Sequence, residues 1–129
     1  MAYGHASELQ ETMDALGQRK REGDCVVLVD NHPAAESARF AEAHTAVDIT
    51  LRSINKGFAG GCNLGVKHLP PSIELIFLLN PDAVLADGAL SKLRHAPNEW
   101  AAWMGLLIMP DGKVNSVGIV NSSDWSLLV

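Results

Sequence analysis

Apolar runs alternate with segments of helical periodicity along the first 95 residues of the chain. Two runs, 25–29 and 75–79, are continuously apolar and predict strands buried on both faces of a parallel sheet. Leu9, Met13 and Leu16 recur at helical spacing and predict an amphipathic helix. The chain-order prediction is helix 7–20, strand 25–29, helix 33–44, strand 47–52, helix 63–68, strand 75–79 and helix 88–93. This alternation indicates an α/β fold with a mostly parallel sheet flanked by helices.

The pattern changes after Pro97. Residues 100–109 are mainly apolar, Pro110-Asp111-Gly112 is typical turn chemistry, and 113–120 can form a returning strand. We therefore expect a C-terminal β-hairpin.

The length, composition and charge of the chain indicate how many domains it has and which classes of protein it can be excluded from. The 129 residues, 47% hydrophobic, predict a single domain over 1–129 with one core. A net charge of −5 argues against a nucleic-acid partner, and the basic cluster 19–21 fits a helix end better than a binding patch. No apolar stretch reaches the roughly 18–20 residues of a membrane span, so we expect a soluble or peripherally membrane-bound protein. Cys25 and Cys62 have no C-x-x-C partner, which favours reduced thiols and a cytoplasmic protein, either free or peripheral at the inner face of the membrane.

Both apolar runs end in polar residues. The first leads into Asp30 and Asn31, and the second into Asn80, Pro81 and Asp82. Oxygen ligands at the carboxyl edge of a parallel sheet suit Mg²⁺ or Mn²⁺ together with phosphate oxygens. An alternative is that Asn80-Pro81 only forms a turn, and that Asp30 only caps the helix after Pro33.

A glycine-rich segment lies between these runs. Gly57, Gly60, Gly61 and Gly65 fall within nine residues and would let backbone approach a ligand before a helix begins at Asn63. The spacing matches neither a P-loop nor a dinucleotide-binding fingerprint.

Taken in order, Val29-Asp30-Asn31, the segment 55–65 and Leu78-Leu79-Asn80-Pro81-Asp82-Ala83 resemble the family-2 glycosyltransferases, in particular the rhamnosyltransferase-like branch. The Asn80-Pro81-Asp82 element stands where that family carries its metal-binding motif. The resemblance implies a Rossmann-like, GT-A type fold that binds a nucleotide diphosphate sugar.

The resemblance also implies roles for individual residues. Asp82, assisted by Asn80, would hold Mg²⁺ or Mn²⁺. The nucleotide sugar would be contacted by Tyr3, Asp30, Asn31, Lys56, Gly60, Gly61 and Asn63.

Compared with that family, the chain looks truncated at both ends. Family members have an apolar strand before the position of Tyr3-Gly4-His5, and they carry the acceptor half and the catalytic base beyond the hairpin. We therefore expect only the donor half, assign no catalytic base, and expect a second copy or a partner chain to complete the sheet.

Two functions follow from the resemblance. The first is inverting transfer of a sugar from a UDP- or dTDP-linked donor to a glycan or lipid-linked acceptor in bacterial cell-surface polysaccharide synthesis. The alternative is a non-catalytic module that binds nucleotide sugar or serves assembly. Whether the chain alone is an enzyme is left open by its sequence.

Overall fold

The structure of the protein, a computed structural model, describes residue 2, residues 6–95 and residues 105–116. The chain divides into two compact units, Met1–His95 and Ala96–Val129, which we call unit 1 and unit 2. The predicted site residue Tyr3 lies outside the described residues.

Unit 1 contains four α-helices and a two-stranded parallel sheet in its described part. A 3₁₀ turn, Ala6–Leu9, leads into the first helix. The elements are α1 (Gln10–Arg19), β1 (Val27–Asp30), α2 (Glu36–Glu42), β2 (Ile49–Arg52), α3 (Gly57–Val66) and α4 (Ala89–Arg94). Except for 75–79, the predicted elements of this unit are confirmed, with shifted boundaries.

The sheet pairs β1 with β2 in parallel, with Val27 opposite Ile49 and Asp30 opposite Arg52. On the other edge of β1, Ala2 forms an isolated parallel bridge with Asp30. Its N–H donates to the Val29 carbonyl at 2.7 Å, and its carbonyl accepts the Asn31 N–H at 3.0 Å. β1 is therefore paired along its whole length on one side and only at its carboxyl end on the other.

The core lies between α1, α2 and β1. Leu9 and Met13 pack with Leu28 and Ala41 in a buried cluster that also includes Ala2. This packing follows from the helical spacing of the apolar residues, which places Leu9 and Met13 on one face. The hydrophobic pattern thus fixes which faces of α1 and β1 meet.

The predicted strand 75–79 is wrong. Residues 73–80 have no regular secondary structure, and no described strand pairs with them. The side chains of Leu75, Ile76, Phe77 and Leu78 are 40–56% exposed. An apolar run becomes a strand only when a neighbouring strand satisfies its N–H and C=O groups, and among the described residues none does so.

Three polar contacts connect the last part of unit 1 to its beginning. The Thr12 hydroxyl donates to backbone carbonyls of the segment 80–83, and the carboxylates of Asp87 and Asp24 pair with Arg19 and Arg94, respectively. Each contact joins residues 68–71 positions apart in sequence. They hold the segment after the apolar run against α1 and the loop that follows it.

Unit 2 contains the predicted hairpin in its described part, 105–116. β3 (Leu107–Ile108) pairs antiparallel with β4 (Val114–Ser116), with a register shift between Leu107 and Ile108. Gly112 has φ +82°, a conformation that favours glycine in the turn. The predicted hairpin is confirmed here, although 100–104 and 117–120 lie outside the described residues.

Candidate functional site

The carboxylate of Asp30 ends β1 and is completely buried. One oxygen accepts the His32 N–H and the other accepts the Ala38 N–H, both at 2.8 Å. Ala35 precedes α2 and makes no side-chain cap, so Asp30 satisfies one of the amide groups at the start of that helix. This geometry supports the capping alternative for Asp30, and its contact with a nucleotide stays a prediction.

Asn31 connects the end of β1 to the glycine-rich segment. Its side-chain amide donates to the Gly57 carbonyl at 3.2 Å, and it is buried, with 1% exposure. The structure therefore brings Asn31 together with the start of α3, which is also the position of Lys56. Asn31 thus contacts the residue that directly follows Lys56 in the chain.

The glycine-rich segment is itself a helix. The prediction that a helix begins only at Asn63 is wrong, because α3 begins at Gly57, a residue with φ +74°. Gly61 and Gly65 are buried, and a Cβ on Gly65 would lie 3.2 Å from a methyl group of Val29. Gly65 therefore lets α3 pack closely on β1, and helix packing accounts for this glycine without a ligand.

Gly60 is required by its own helix. A Cβ at Gly60 would lie only 2.6 Å from the Lys56 Cβ, one turn earlier. The side chains of Lys56 and Asn63 are exposed and available to a bound molecule. The contacts predicted for Gly60, Gly61, Lys56 and Asn63 with a nucleotide sugar stay predictions.

Asn80-Pro81-Asp82 forms a turn in which the Ala83 N–H donates to the Asn80 carbonyl at 3.2 Å. Both Asn80 and Asp82 are exposed. The turn predicted as the alternative for this segment is present, and it leaves the Asp82 carboxylate at the surface. A small cavity of about 50 Å³ is lined by Ala2, by Val27 and Leu28 of β1 and by Asn80 and Pro81, so the turn lies beside β1.

Thr12 fixes this turn, a role that was not among those predicted from the sequence. Its side chain is 3% exposed, and its hydroxyl donates to the Pro81 carbonyl at 2.8 Å and lies 3.2 Å from the Ala83 carbonyl. A signal was present in the sequence, because Thr12 stands next to Met13 on the apolar face of α1, where a hydroxyl needs a partner. The partner is the backbone of the candidate metal site.

The start of β1 is held by the carboxylate of Asp48. It accepts the Val26 N–H at 2.7 Å and pairs with the Lys20 ammonium at 2.5 Å. Burial raises the pKa of Asp48, but these two hydrogen bonds lower it by more, so the pKa lies below its ordinary value. Burial, together with the nearby Asp48 charge, raises the pKa of the Cys25 thiol.

A divalent cation has a limited set of protein ligands here. The described residues contain no group of three or more His, Cys, Asp or Glu side chains that could hold a metal ion. Magnesium needs only one or two carboxylates when water and phosphate oxygens complete its shell, and the exposed Asp82 and Asn80 fit that mode of binding. They do not fit a metal held by protein ligands alone.

Among the helices of the described residues, none is long and apolar enough to cross a bilayer. Searches of curated proteins and of solved structures found no significant match. The model of one family, Glycosyl transferase family 2, matches residues 1–102, which cover all of unit 1 and thus β1, α3 and the Asn80–Asp82 turn. The chain belongs to glycosyl transferase family 2.

Proposed function

We propose that this chain binds the diphosphate of a nucleotide diphosphate sugar through Mg²⁺ or Mn²⁺ at the Asn80–Asp82 turn. Membership of the family implies glycosyl transfer between a nucleotide-sugar donor and an acceptor, and a fold of the GT-A type. The observation that carries the proposal is the exposed carboxylate of Asp82, on a turn that the buried Thr12 hydroxyl fixes to α1. Because the backbone of this turn is already fixed, the carboxylate can bind a cation without the cost of ordering the segment that carries it.

Asp82 and Asn80 would hold the cation. When bound, the cation supplies positive charge that stabilises the departing diphosphate. Lys56, exposed just before α3, would add a second positive charge for the phosphates. The side chain of Asn63, exposed on α3, can hydrogen-bond a ribose or a phosphate.

The finer assignment follows the resemblance to the rhamnosyltransferase-like branch. The donor is UDP- or dTDP-linked, the acceptor is a glycan or a lipid-linked sugar, and transfer inverts the anomeric carbon. The product is a bacterial cell-surface polysaccharide, made in the cytoplasm at the inner face of the membrane. The family match supports sugar transfer in general, and the motif order supports this branch.

The test is isothermal titration of UDP and of dTDP into the chain, with and without Mn²⁺. We expect binding that requires Mn²⁺ and that Asp82→Ala weakens at least tenfold. Glu22→Ala is the control, because it removes an exposed carboxylate that lies outside the turn and the segment around it. It should change the affinity less than twofold.

The outcomes separate the proposals. Absence of Mn²⁺-dependent binding by a folded chain, or an equal effect of the two variants, would contradict the metal site at Asp82. Binding that requires Asp82, without sugar release or transfer when intact donor sugars are supplied, would favour the non-catalytic module.

A further inference from the structure

One helix, α1, holds the segment 80–87 at two points. The Thr12 hydroxyl donates to the Pro81 carbonyl at 2.8 Å. Six residues after Pro81, the carboxylate of Asp87 pairs with the guanidinium of Arg19. Both Thr12 and Arg19 belong to α1. We call residues 80–87 the anchored segment.

The two contacts define the path of the anchored segment. Thr12 and Arg19 are seven residues apart, about two helical turns, so they lie on one face of α1 and about 10 Å apart along its axis. The anchored segment contacts them in the same order, at Pro81 and at Asp87, and therefore runs beside α1 in the direction of that helix. Between the two contacts, Leu85 is buried, with 6% exposure. The anchored segment is thus held near both of its ends by one helix.

The two contacts differ in strength. Thr12 is 3% exposed, so its hydroxyl would lose its partner in a buried environment if the anchored segment moved away. The Asp87 side chain is 96% exposed, and an exposed ion pair contributes little and is screened by salt. Arg19 is also held by its own helix, because its guanidinium donates to the Ala15 carbonyl at 3.1 Å. Thr12 therefore makes the main contact, and Arg19 makes the weaker one.

The sheet does not hold the turn that carries Asp82. Residues 73–80, which lead into the turn, have no regular secondary structure, and no described strand pairs with them. The Ala83 N–H donates to the Asn80 carbonyl at 3.2 Å, which closes the turn without attaching it to another element. In the described part of the chain, the hydrogen bonds that join the turn to another element come from Thr12.

The affinity of the turn for a cation depends on how often α1 holds the turn in place. If Asp82 binds the cation only in the held conformation, the apparent dissociation constant rises as the population of that conformation falls. The coupling is reciprocal, because the bound cation favours the held conformation by the same factor. A hydroxyl that does not contact the ligand can therefore determine the affinity of the metal site.

We propose that Thr12 and Arg19 are positioning residues for the metal site. Through them, α1 holds the anchored segment in the conformation in which Asp82 binds the cation, and the bound cation stabilises the contact with α1 in return. This inference rests on the proposed function, because it takes Asp82 as a ligand of the cation. It adds that the affinity for the cation is determined by a helix of the core.

The first experiment is titration of UDP at a series of Mn²⁺ concentrations. Thr12→Val keeps the shape of the side chain and removes the hydroxyl, whereas Thr12→Ser keeps the hydroxyl. At limiting Mn²⁺ we expect Thr12→Val to weaken UDP binding at least tenfold and Thr12→Ser to weaken it less than threefold. Thr50→Val is the matched control, because it removes a hydroxyl from a half-buried position on β2, and it should change the affinity less than twofold.

Excess Mn²⁺ distinguishes a positioning residue from a ligand. A turn that is held less often still binds the cation, so a high Mn²⁺ concentration should restore the UDP affinity of Thr12→Val to within threefold of the wild type. Asp82→Ala has lost the ligand itself, and its affinity should not be restored. Circular dichroism verifies that each variant is folded.

Hydrogen exchange at the Ala83 amide measures the held conformation directly, because this amide closes the turn. Without ligand, Thr12→Val should accelerate the exchange of this amide at least fivefold. In the wild type, UDP with Mn²⁺ should slow it at least fivefold. The Ser53 amide, which donates to the Asp30 carbonyl at 2.9 Å, is the internal control and should change less than twofold in either case.

Asp87→Asn tests the weaker contact, and its exposed position makes loss of the fold unlikely to follow from the change. It should weaken Mn²⁺-dependent binding of UDP two- to fourfold at low salt. At high salt the difference from the wild type should disappear, because the ion pair is then screened. Should Thr12→Val fail to fold, an unchanged affinity of Asp87→Asn at low salt would overturn the inference.

The outcomes separate this inference from the proposed function. Mn²⁺-dependent binding that requires Asp82 but is unchanged in Thr12→Val would overturn the inference and leave the proposed function intact. The same holds if Thr12→Ser is as weak as Thr12→Val, or if excess Mn²⁺ does not restore Thr12→Val. Absence of Mn²⁺-dependent binding by the folded wild type would overturn both.

Discussion

Two segments of unit 1 have similar sequence patterns but differ in backbone pairing and burial in the structure. Both are apolar runs of at least four residues that end in an amide and a carboxylate. The run before Asp30 forms β1, is paired with β2, and buries Leu28 and Val29 at 5% and 3% exposure. The run before Asp82 is unpaired in the described structure and about half exposed.

The carboxylates differ in the same way. Asp30 is buried, and each of its carboxylate oxygens accepts a hydrogen bond from a backbone amide. Asp82, in contrast, lies on an exposed turn. A strand-end carboxylate therefore has a structural role where its strand is paired and a neighbouring helix begins beside it. Where the strand has no neighbour, the carboxylate stays available to a ligand.

Truncating one leucine in each run should give the largest difference between the two segments in the free energy of unfolding. Leu28→Ala removes buried side-chain volume from the core and should lower the free energy of unfolding by about 3 kcal/mol. Leu78→Ala, at a position that is 56% exposed, should lower it by less than about 1 kcal/mol. Urea denaturation of both variants measures the difference. Equal losses would show that Leu78 is buried in solution and would remove the contrast.

Replacing the two carboxylates by amides should give a smaller difference in the free energy of unfolding than truncating the two leucines. Asp30→Asn leaves one buried amide facing the new NH₂ group instead of an acceptor, and should cost about 2 kcal/mol of stability. Asp82→Asn, the same change at an exposed turn, should cost less than about 0.5 kcal/mol. Thermal or urea unfolding provides the measurement. If Asp30→Asn leaves the free energy of unfolding unchanged, the carboxylate does not cap α2. That result would favour the predicted contact of Asp30 with a nucleotide.

The smallest effect concerns the start of β1 and depends on pH. Because the folded-state pKa of Asp48 is lowered, its stabilising contribution is complete above the unfolded pKa, near 4, and is lost as the pH falls through the folded value. Asp48→Asn should cost about 0.5–1 kcal/mol at pH 7, since the carboxylate is 39% exposed, and progressively less as the pH is lowered below about 4 in a series of urea denaturations.

Glu42→Gln is the control for that experiment. It removes a more exposed ion pair, with Arg52, and should change stability by less than about 0.5 kcal/mol over the same pH range. A loss for Asp48→Asn that does not decrease as the pH is lowered would show that Asp48 acts through packing rather than through its charge.

Most elements of unit 1 were predictable because local patterns determine them. Leu9 and Met13 mark α1, and the run that ends at Asp30 marks β1, because each buries its apolar face against the other. The run 75–79 could not be assigned from its own residues. A strand needs a partner for its backbone, and that partner is a property of the rest of the fold.

The glycine-rich segment was misread for a related reason. Glycine has low helix propensity, so Gly57, Gly60, Gly61 and Gly65 argued for a loop that approaches a ligand. Tertiary packing on Val29 overrode that preference, and α3 begins at Gly57. The position of Thr12 on the apolar face of α1 indicated that its hydroxyl needs a partner, but the partner lies about 70 residues away, and no local pattern identifies it.

The Thr12 contacts also have a consequence for the order of folding. Their hydrogen bonds close a chain segment of 69–71 residues, and the Arg94–Asp24 pair closes one of 70. Closing such long segments is entropically costly, and contacts of this kind form after local helices and the β1–β2 crossover. The turn that carries Asp82 is therefore among the last parts of unit 1 to be formed, and the first to be released when α1 loosens.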